Sequence, residues 1–364
     1  MDEAREQNGS TPSGTHLLSN GRYAVLFTTA GAGYSAFEGF ALTRWMPDPT
    51  RDADGFFLYI RDLDSGDRWS AGYQPLPSSP ADYEVRWTPG RAEIVREDTQ
   101  IQTRMQVCVA AEDNVELRRL TLTNDSDRPR RLELTTYAEV VLNTPAGDAG
   151  HPAFSKLFVQ TTFLAEQQAL VAWRRLRSLD DQPLWLVHRL VGAAAREIQF
   201  ETDRARFLGR GRTPANPRAL DADVRLSGTI GNVLDPVFSL RRVVEIAPGE
   251  TAQLTAVLGA GREQEEVVAL AERYGAGEAI DAAFEGVMPA PEGAERALGV
   301  PASWLEGPPF PGPSPAGGER RPADPAVAEN LRFGRMEFPL SQFWERGLGG
   351  EGSVAVSSIC RAPL

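Results

Sequence analysis

Residues 101–109, Ile-Gln-Thr-Arg-Met-Gln-Val-Cys-Val, alternate apolar and polar side chains, and no other feature constrains the fold of this chain as strongly. Alternation at period two puts Ile101, Thr103, Met105, Val107 and Val109 on one face of a strand, opposite Gln102, Arg104 and Gln106. Leu132, Leu134, Thr136, Ala138, Val140 and Leu142 repeat the pattern, and the turn residues Asn124-Asp125-Ser126-Asp127 predict that the two runs form a long hairpin. Further strands are expected at 23–28, 56–61, 157–163, 184–190, 238–246 and 253–258, the last two flanking the turn Ala247-Pro248-Gly249-Glu250. So many strands with little helix between them predict an all-β chain, a large antiparallel sandwich.

A helical period enters only later. Residues 263–274 place Val267, Val268, Leu270 and Ala271 near one face and stop at Gly275, and 278–287 form a second amphipathic run through Ile280, Ala283, Phe284 and Val287. After Met288 the character changes: 12 of the 27 prolines fall in the last 76 residues, where an even spread would put about 6. The expected organisation is a disordered leader (1–15), the sandwich (16–260), linker helices (261–288) and a Pro/Gly-rich tail (289–364) that has the look of a truncated or frame-shifted end. Such a tail buries little, so truncation at Met288 is expected to leave stability unchanged.

The net charge of −12 excludes a broad nucleic-acid face, since phosphate contacts need clustered positive charge. Lys156 is the sole lysine, which leaves arginine to make bidentate contacts with carboxylates or hydroxyls. Cys108 and Cys360 form neither a disulfide framework nor a zinc pattern, and a reducing, cytoplasmic setting is expected. The N-terminus has no apolar targeting core and no run is long enough to span a bilayer, so no membrane segment is predicted. Gly31-Ala32-Gly33-Tyr34-Ser35-Ala36 formally matches a dinucleotide loop, but Thr43, Trp45 and Pro47 follow where that loop needs a helix. A glycine turn and no cofactor are the expectation. His16, His151 and His188 have no metal-ligand spacing, and no metal is predicted.

Residues 38–64 combine Glu38, Arg44, Trp45, Asp48, Arg51, Asp52, Asp54, Arg61, Asp62 and Asp64. Carboxylates and guanidiniums beside an aromatic ring suit a sugar, which needs hydroxyl contacts and a stacking face. Ordinary surface loops contain the same residue types, and Trp45 is as readily a core residue. His151, in a Gly/Pro/Asp loop, is either a hydroxyl partner or a solvent-facing histidine. The densest basic run, 203–212, offers a phosphate site or a structural loop paired to neighbouring acids.

One ordered set of motifs is more specific. Leu18-Ser19-Asn20-Gly21-Arg22-Tyr23, Gly31-x-Gly33-Tyr34-Ser35, Thr43-Arg44-Trp45, Tyr59-Ile60-Arg61-Asp62 and Trp69-Ser70-Ala71-Gly72-Tyr73-Gln74-Pro75 occur in that order. Leu122-Thr123-Asn124, Tyr137-Ala138-Glu139-Val140-Val141-Leu142, His151-Pro152-Ala153-Phe154-Ser155, Phe158-Val159-Gln160-Thr161 and the run from Asp203 follow. Over about residues 16–288 the set resembles the supersandwich domain of cyclic β-1,2-glucan synthetases and cellobiose- and chitobiose-phosphorylase-like enzymes (glycoside hydrolase family 94, formerly glycosyltransferase family 36).

The resemblance implies a galactose-mutarotase-like β-supersandwich. In the family it precedes linker helices and an (α/α)6 barrel that carries the catalytic acid and the phosphate site. A barrel needs a dozen helices, which 76 proline-rich residues cannot supply. The expectation is therefore a non-catalytic, carbohydrate-binding portion of a glucan synthetase or phosphorylase, with no catalytic residue of its own. Tyr34, Arg44, Trp45, Asp48, Asp52 and His151 are its expected sugar contacts and a β-glucan oligosaccharide its ligand. Its expected partners are a barrel domain on a separate chain and a second copy in a homodimer. The alternatives are an aldose-epimerase-like enzyme using His151 with a loop carboxylate, and an assembly subunit that completes a barrel on another chain.

Overall fold

The computed structural model describes residues 14–46, 52–176, 178, 181–192 and 198–300. Its strands are, in chain order, β1 (Thr15–Ser19), β2 (Tyr23–Thr28), β3 (Gly33–Phe37), β4 (Phe40–Thr43), β5 (Phe57–Asp62), β6 (Arg68–Ser70), β7 (Asp82–Thr88), β8 (Arg91–Asp98) and β9 (Ile101–Val109). Then come β10 (Val115–Asn124), β11 (Arg130–Asn143), β12 (Val159–Leu164), β13 (Ala169–Arg174), β14 (Trp185–Gly192), β15 (Gln199–Asp203), β16 (Pro236–Ile246) and β17 (Thr251–Gly261). The helices are α1 (Pro145–Gly150), α2 (Pro152–Lys156), α3 (Arg204–Leu208), α4 (Gln264–Arg273) and α5 (Gly277–Glu285).

The strands pair antiparallel into two sheets. One runs β1-β2-β3-β4-β11-β16-β15, with β5 also on β11 and β6 on β5; the other runs β12-β13-β14-β17-β10-β9-β8-β7. Their inner faces meet in one core: Leu132, Leu134, Val140 and Leu142 of β11 belong to the same cluster as Ile101, Met105 and Val107 of β9 and Leu254 and Leu258 of β17. Full burial of each such side chain contributes roughly 1.5–3 kcal/mol.

The expected hairpin between 101–109 and 132–142 does not form. β9 pairs with β8 and β10, while β11 lies in the opposite sheet. The strand missing from that prediction is β10, whose buried row is Glu116, Arg118, Leu120, Leu122 and Asn124. Two charges on the buried face conceal it. They are paired there: Arg118 Nε donates to Glu116 at 2.6 Å, Ser35 Oγ donates to the same carboxylate at 2.6 Å, and the Arg118 guanidinium sits 4.9 Å from the Phe56 ring centre. Removing one partner of such a pair leaves a bare interior charge, so the pair is retained as a unit.

Both outer faces are covered in part. Phe207, Leu208, Ala219 and Leu220 from α3 and a 3-10 turn lie on Phe57, Tyr59 and Tyr137. Helices α4 and α5 cover the second sheet through Val267, Ala271, Ile280 and Phe284. The chain continues beyond Met288 onto the first sheet: residues Ala294–Leu298 form a 3-10 turn whose Ala297 and Leu298 pack on Ala24, Leu26, Tyr34, Ala36 and Ala41. Residues 289–300, assigned by proline content to a loose tail, are thus seated on the sandwich. Apolar Ala and Leu, not the prolines, decide their placement. Residues 301–364 and Cys360 lie outside the described residues.

Candidate functional site

β11 changes partners along one edge. Its residues 132–137 pair with β5, whereas Val140 and Asn143 pair with β4. Glu139 stands at the changeover, and its carbonyl accepts the Arg44 N–H at 3.0 Å just where β4 ends. Beyond β11, Thr144 caps α1 by accepting the Gly147 N–H at 3.1 Å, with Pro145 as the first helical residue. Helices α1 and α2 then fold beside the end of β4.

A pocket of about 200 Å³ lies there, lined by Tyr34, Arg44, Trp45, Asp148, Pro152 and Val300, among others. That is smaller than the roughly 300–1,000 Å³ of drug-sized sites, so the space suits a single ring. Trp45 is half-buried and stacks on Tyr34, with ring centres 5.6 Å apart and planes 30° from parallel. The Tyr34 hydroxyl donates to the Leu298 carbonyl at 3.0 Å. Burial, reinforced by the Asp148 charge, raises its pKa and keeps it protonated.

Charges of alternating sign run beneath the pocket. Arg44 donates Nη1 to Asp148 at 2.5 Å and Nε to Glu139 at 2.9 Å. Glu139 also accepts from Arg204 Nε at 2.5 Å and from the Tyr137 hydroxyl at 2.9 Å. Asp235 pairs with Arg204 at 3.6 Å and with Lys156 at 2.7 Å. Burial alone would raise the Glu139 pKa, but Arg204 and Arg44 outweigh it and hold the carboxyl ionised. Burial works to lower the Arg44 pKa, and Asp148 and Glu139 more than reverse this. Among the residues that line the pocket, two atoms are buried without a hydrogen-bond partner: Arg44 Nη2, a donor, and Asp148 Oδ1, an acceptor.

Of the residues expected from the sequence, the fold brings Tyr34, Arg44 and Trp45 to this one pocket. Asp48 lies outside the described residues. Asp52 is placed elsewhere and accepts from Thr28 Oγ1 at 2.9 Å. Burial, with the nearby Asp54 charge, pushes its pKa up to about 6. His151 is exposed at the joint between α1 and α2 and is not part of the lining. Within the Asp203 run, Asp203 caps α3 and Arg212 pairs with Asp221 at 2.6 Å, while Arg206 and Arg210 are exposed.

The sequence does not point to Asp148, and it shows Glu139 and Arg204 only inside a longer motif and the basic run, with no role at this pocket. Thr144-Pro145, a capping residue followed by a first-turn proline, was the available signal for α1 and hence for Asp148. Nothing local marks Glu139. The Gly31–Gly33 segment is the turn between β2 and β3, with φ +81° at Gly31 and its N–H on the Thr28 carbonyl at 3.0 Å. Among the described residues no histidine side chain contacts a carboxylate: His16 meets Thr88 and Trp87, and His188 meets Thr136 and Val257. Among the same residues no helix is long and apolar enough to cross a membrane.

Two packed antiparallel sheets with helices and turns laid over both outer faces, and a ring-sized pocket at the β4–β11 edge, define the chain as a β-supersandwich. Residues 3–276 match the model of the glycosyl hydrolase 94 supersandwich domain, and the chain belongs to that family. It is 38% identical over 262 residues to the cyclic beta-(1,2)-glucan synthase NdvB of Rhizobium meliloti (strain 1021), covering 71% of this chain and 9% of that protein. To the N,N'-diacetylchitobiose phosphorylase of Vibrio proteolyticus it is 25% identical over 278 residues, 75% of this chain and 34% of the relative. The chain therefore spans 9% and 34% of the lengths of these two relatives. A solved galactose mutarotase related enzyme from Lactobacillus acidophilus is 10% identical, with a TM-score of 0.36 over 68% of this chain and 97% of that one.

Proposed function

We propose that this chain supplies the non-catalytic, carbohydrate-binding supersandwich of a β-glucan synthase or phosphorylase, in a reducing, cytoplasmic setting. The chemistry would reside in an (α/α)6 barrel outside residues 16–288, carried on this or another polypeptide. The observation that supports it is the unpaired donor and acceptor, Arg44 Nη2 and Asp148 Oδ1, among the lining of a pocket walled by the Tyr34–Trp45 stack. A buried polar group left unpaired costs about 1–3 kcal/mol. Neighbouring hydroxyls of a pyranose offer both a donor and an acceptor, and the C–H face of the ring suits the Trp45 indole.

The neighbouring surface supports an adjoining barrel. Phe154 and Leu157 are exposed on and just after α2, beside the pocket residue Pro152, and Leu234 is exposed next to Asp235, which holds Lys156 of α2. Grouped exposed apolar side chains mark contact surfaces.

Titration with β-1,2-linked glucobiose, followed by the NMR shifts of the Trp45 indole, tests the sugar contact. The expected dissociation constant is about millimolar, roughly −4 kcal/mol, because the pocket is small and open. Absence of a saturable shift several-fold above that concentration overturns the reading. Release of glucose 1-phosphate from the same sugar and phosphate, above a protein-free blank, overturns its non-catalytic half.

A further inference from the structure

We propose that residues 291–300 are the specificity wall of this pocket, with Val300 setting which ring fits, so that a bound sugar and a seated 291–300 segment form one equilibrium. The proposal rests on the pyranose reading above and adds the element that shapes the site.

Four observations converge. Leu298 is fully buried on the outer face of β2 and β3, and the Gly39 N–H donates to the Ala297 carbonyl at 3.0 Å. Gly299 adopts φ +68°, and a Cβ placed there would lie 2.2 Å from the Gly39 carbonyl oxygen, so no side chain fits without displacing the segment. Val300, the next residue, both lines the pocket and packs in the same apolar cluster as Trp45. Tyr34 ties the two together: its ring stacks on Trp45 in the pocket, while its hydroxyl donates to the Leu298 carbonyl at 3.0 Å.

Unseating the segment therefore removes one wall of the pocket and leaves the Tyr34 hydroxyl without its acceptor. A ligand touching Tyr34, Trp45 and Val300 has fewer contacts when the segment is away. It binds the seated state more tightly and shifts the population toward it. By reciprocity, whatever seats the segment strengthens sugar binding by the same factor. The contact that defines the ring's fit is then Val300, because the opposite wall, from α1 and α2, is anchored independently by the Thr144 cap.

Hydrogen exchange of the Gly39 and Gly299 amides with and without β-1,2-linked glucobiose, alongside indole shifts, tests this on the full chain. The glucobiose is expected to slow exchange at both amides several-fold and to leave the β11 core amides unchanged. Gly299→Ala should weaken binding tenfold or more. Val300→Trp, at a half-buried position outside the core, should fill the pocket and abolish binding with the core still protected, which covers the case that Gly299→Ala fails to fold. Glucobiose binding with unchanged exchange at both amides, or undiminished binding by Val300→Trp, overturns this proposal and leaves the sugar site standing. No binding by the unaltered chain overturns both.

Discussion

Thr136 of β11 and His188 of β14 meet between the two sheets, with Thr136 Oγ1 2.7 Å from His188 Nε2. The other ring nitrogen, Nδ1, lies 2.9 Å from the Val257 carbonyl, so Nδ1 carries the hydrogen and Nε2 accepts from the threonine. Phe56 packs edge-on against the imidazole at 5.1 Å. In this setting burial lowers the His188 pKa to about 4. The polar link between the sheets is therefore built for the neutral ring.

The pH dependence follows from that value. The unfolded chain binds this proton near pH 6.5 and the native chain only near 4. Native stability is complete above about pH 6.5 and falls as pH drops toward 4, by about 3 kcal/mol at about 1.4 kcal/mol per pH unit. His188→Gln keeps a donor and an acceptor and removes the titration. Urea midpoints measured between pH 4 and 7 should lose this part of their slope in the variant. An unchanged slope means that His188 is not its source.

Asp52 has the opposite sign. Its native pKa of about 6 exceeds the ordinary 3.8, so the native fold favours the protonated form, and ionisation destabilises it as pH rises through 6. Asp52→Asn should add up to about 3 kcal/mol at pH 8 and nothing near pH 3.5. The residue has φ +35°, which asparagine tolerates, so the substitution brings no new backbone strain. A pH-independent effect would assign the change to packing.

Much of the fold was legible because one outer face of several strands carries polar residues. The β16–β17 pair, its Ala247–Glu250 turn and helices α4 and α5 follow directly from period and turn chemistry. β2, buried at every position, was still legible as an apolar run, whereas β3, equally buried, was not, and β10 was concealed because it hides Glu116 and Arg118 inside. At the site, Tyr34, Arg44 and Trp45 were readable from residue type and resemblance. Glu139 and Arg204 were not, since their significance comes from a pairing across 65 residues that no local pattern announces.

Glu139→Gln should test that pairing. Glu139 holds Arg44, Arg204 and Tyr137 together, and Gln keeps the shape without the charge. Removing one partner from a buried ionic array costs about 3–5 kcal/mol, reduced here because Arg44 keeps Asp148. Chemical denaturation should show a loss of about 3 kcal/mol that changes little with added salt, since buried pairs are poorly screened. A loss that disappears at high salt would place the array in solvent.

Trp45→Ala separates the pocket from the core. A fully buried tryptophan costs about 3–5 kcal/mol on truncation, and a half-buried one such as Trp45 costs less, about 1–2 kcal/mol. Thermal unfolding should therefore drop only slightly, while the glucobiose-induced shifts of pocket resonances vanish. A loss of 3 kcal/mol or more, without any sugar response in the parent, would make Trp45 structural.

The last prediction concerns where the folded unit ends. A chain cut after Met288 loses Ala297 and Leu298 from the outer face of the first sheet, together with the hydrogen bonds from Tyr34 and Gly39. A chain cut after Val300 keeps all of them. Burial of Leu298 contributes about 1.5–3 kcal/mol, and each hydrogen bond about 1 kcal/mol. The shorter chain should be the less stable, with a Tm lower by roughly a few °C. The shorter chain should also bind an apolar dye at the face left by Leu298, where Leu26, Ala36 and Ala41 lie uncovered. Equal melting of the two truncations would mean that residues 291–300 add nothing to the stability of the sandwich, and it would remove the structural footing of the Val300 wall as well.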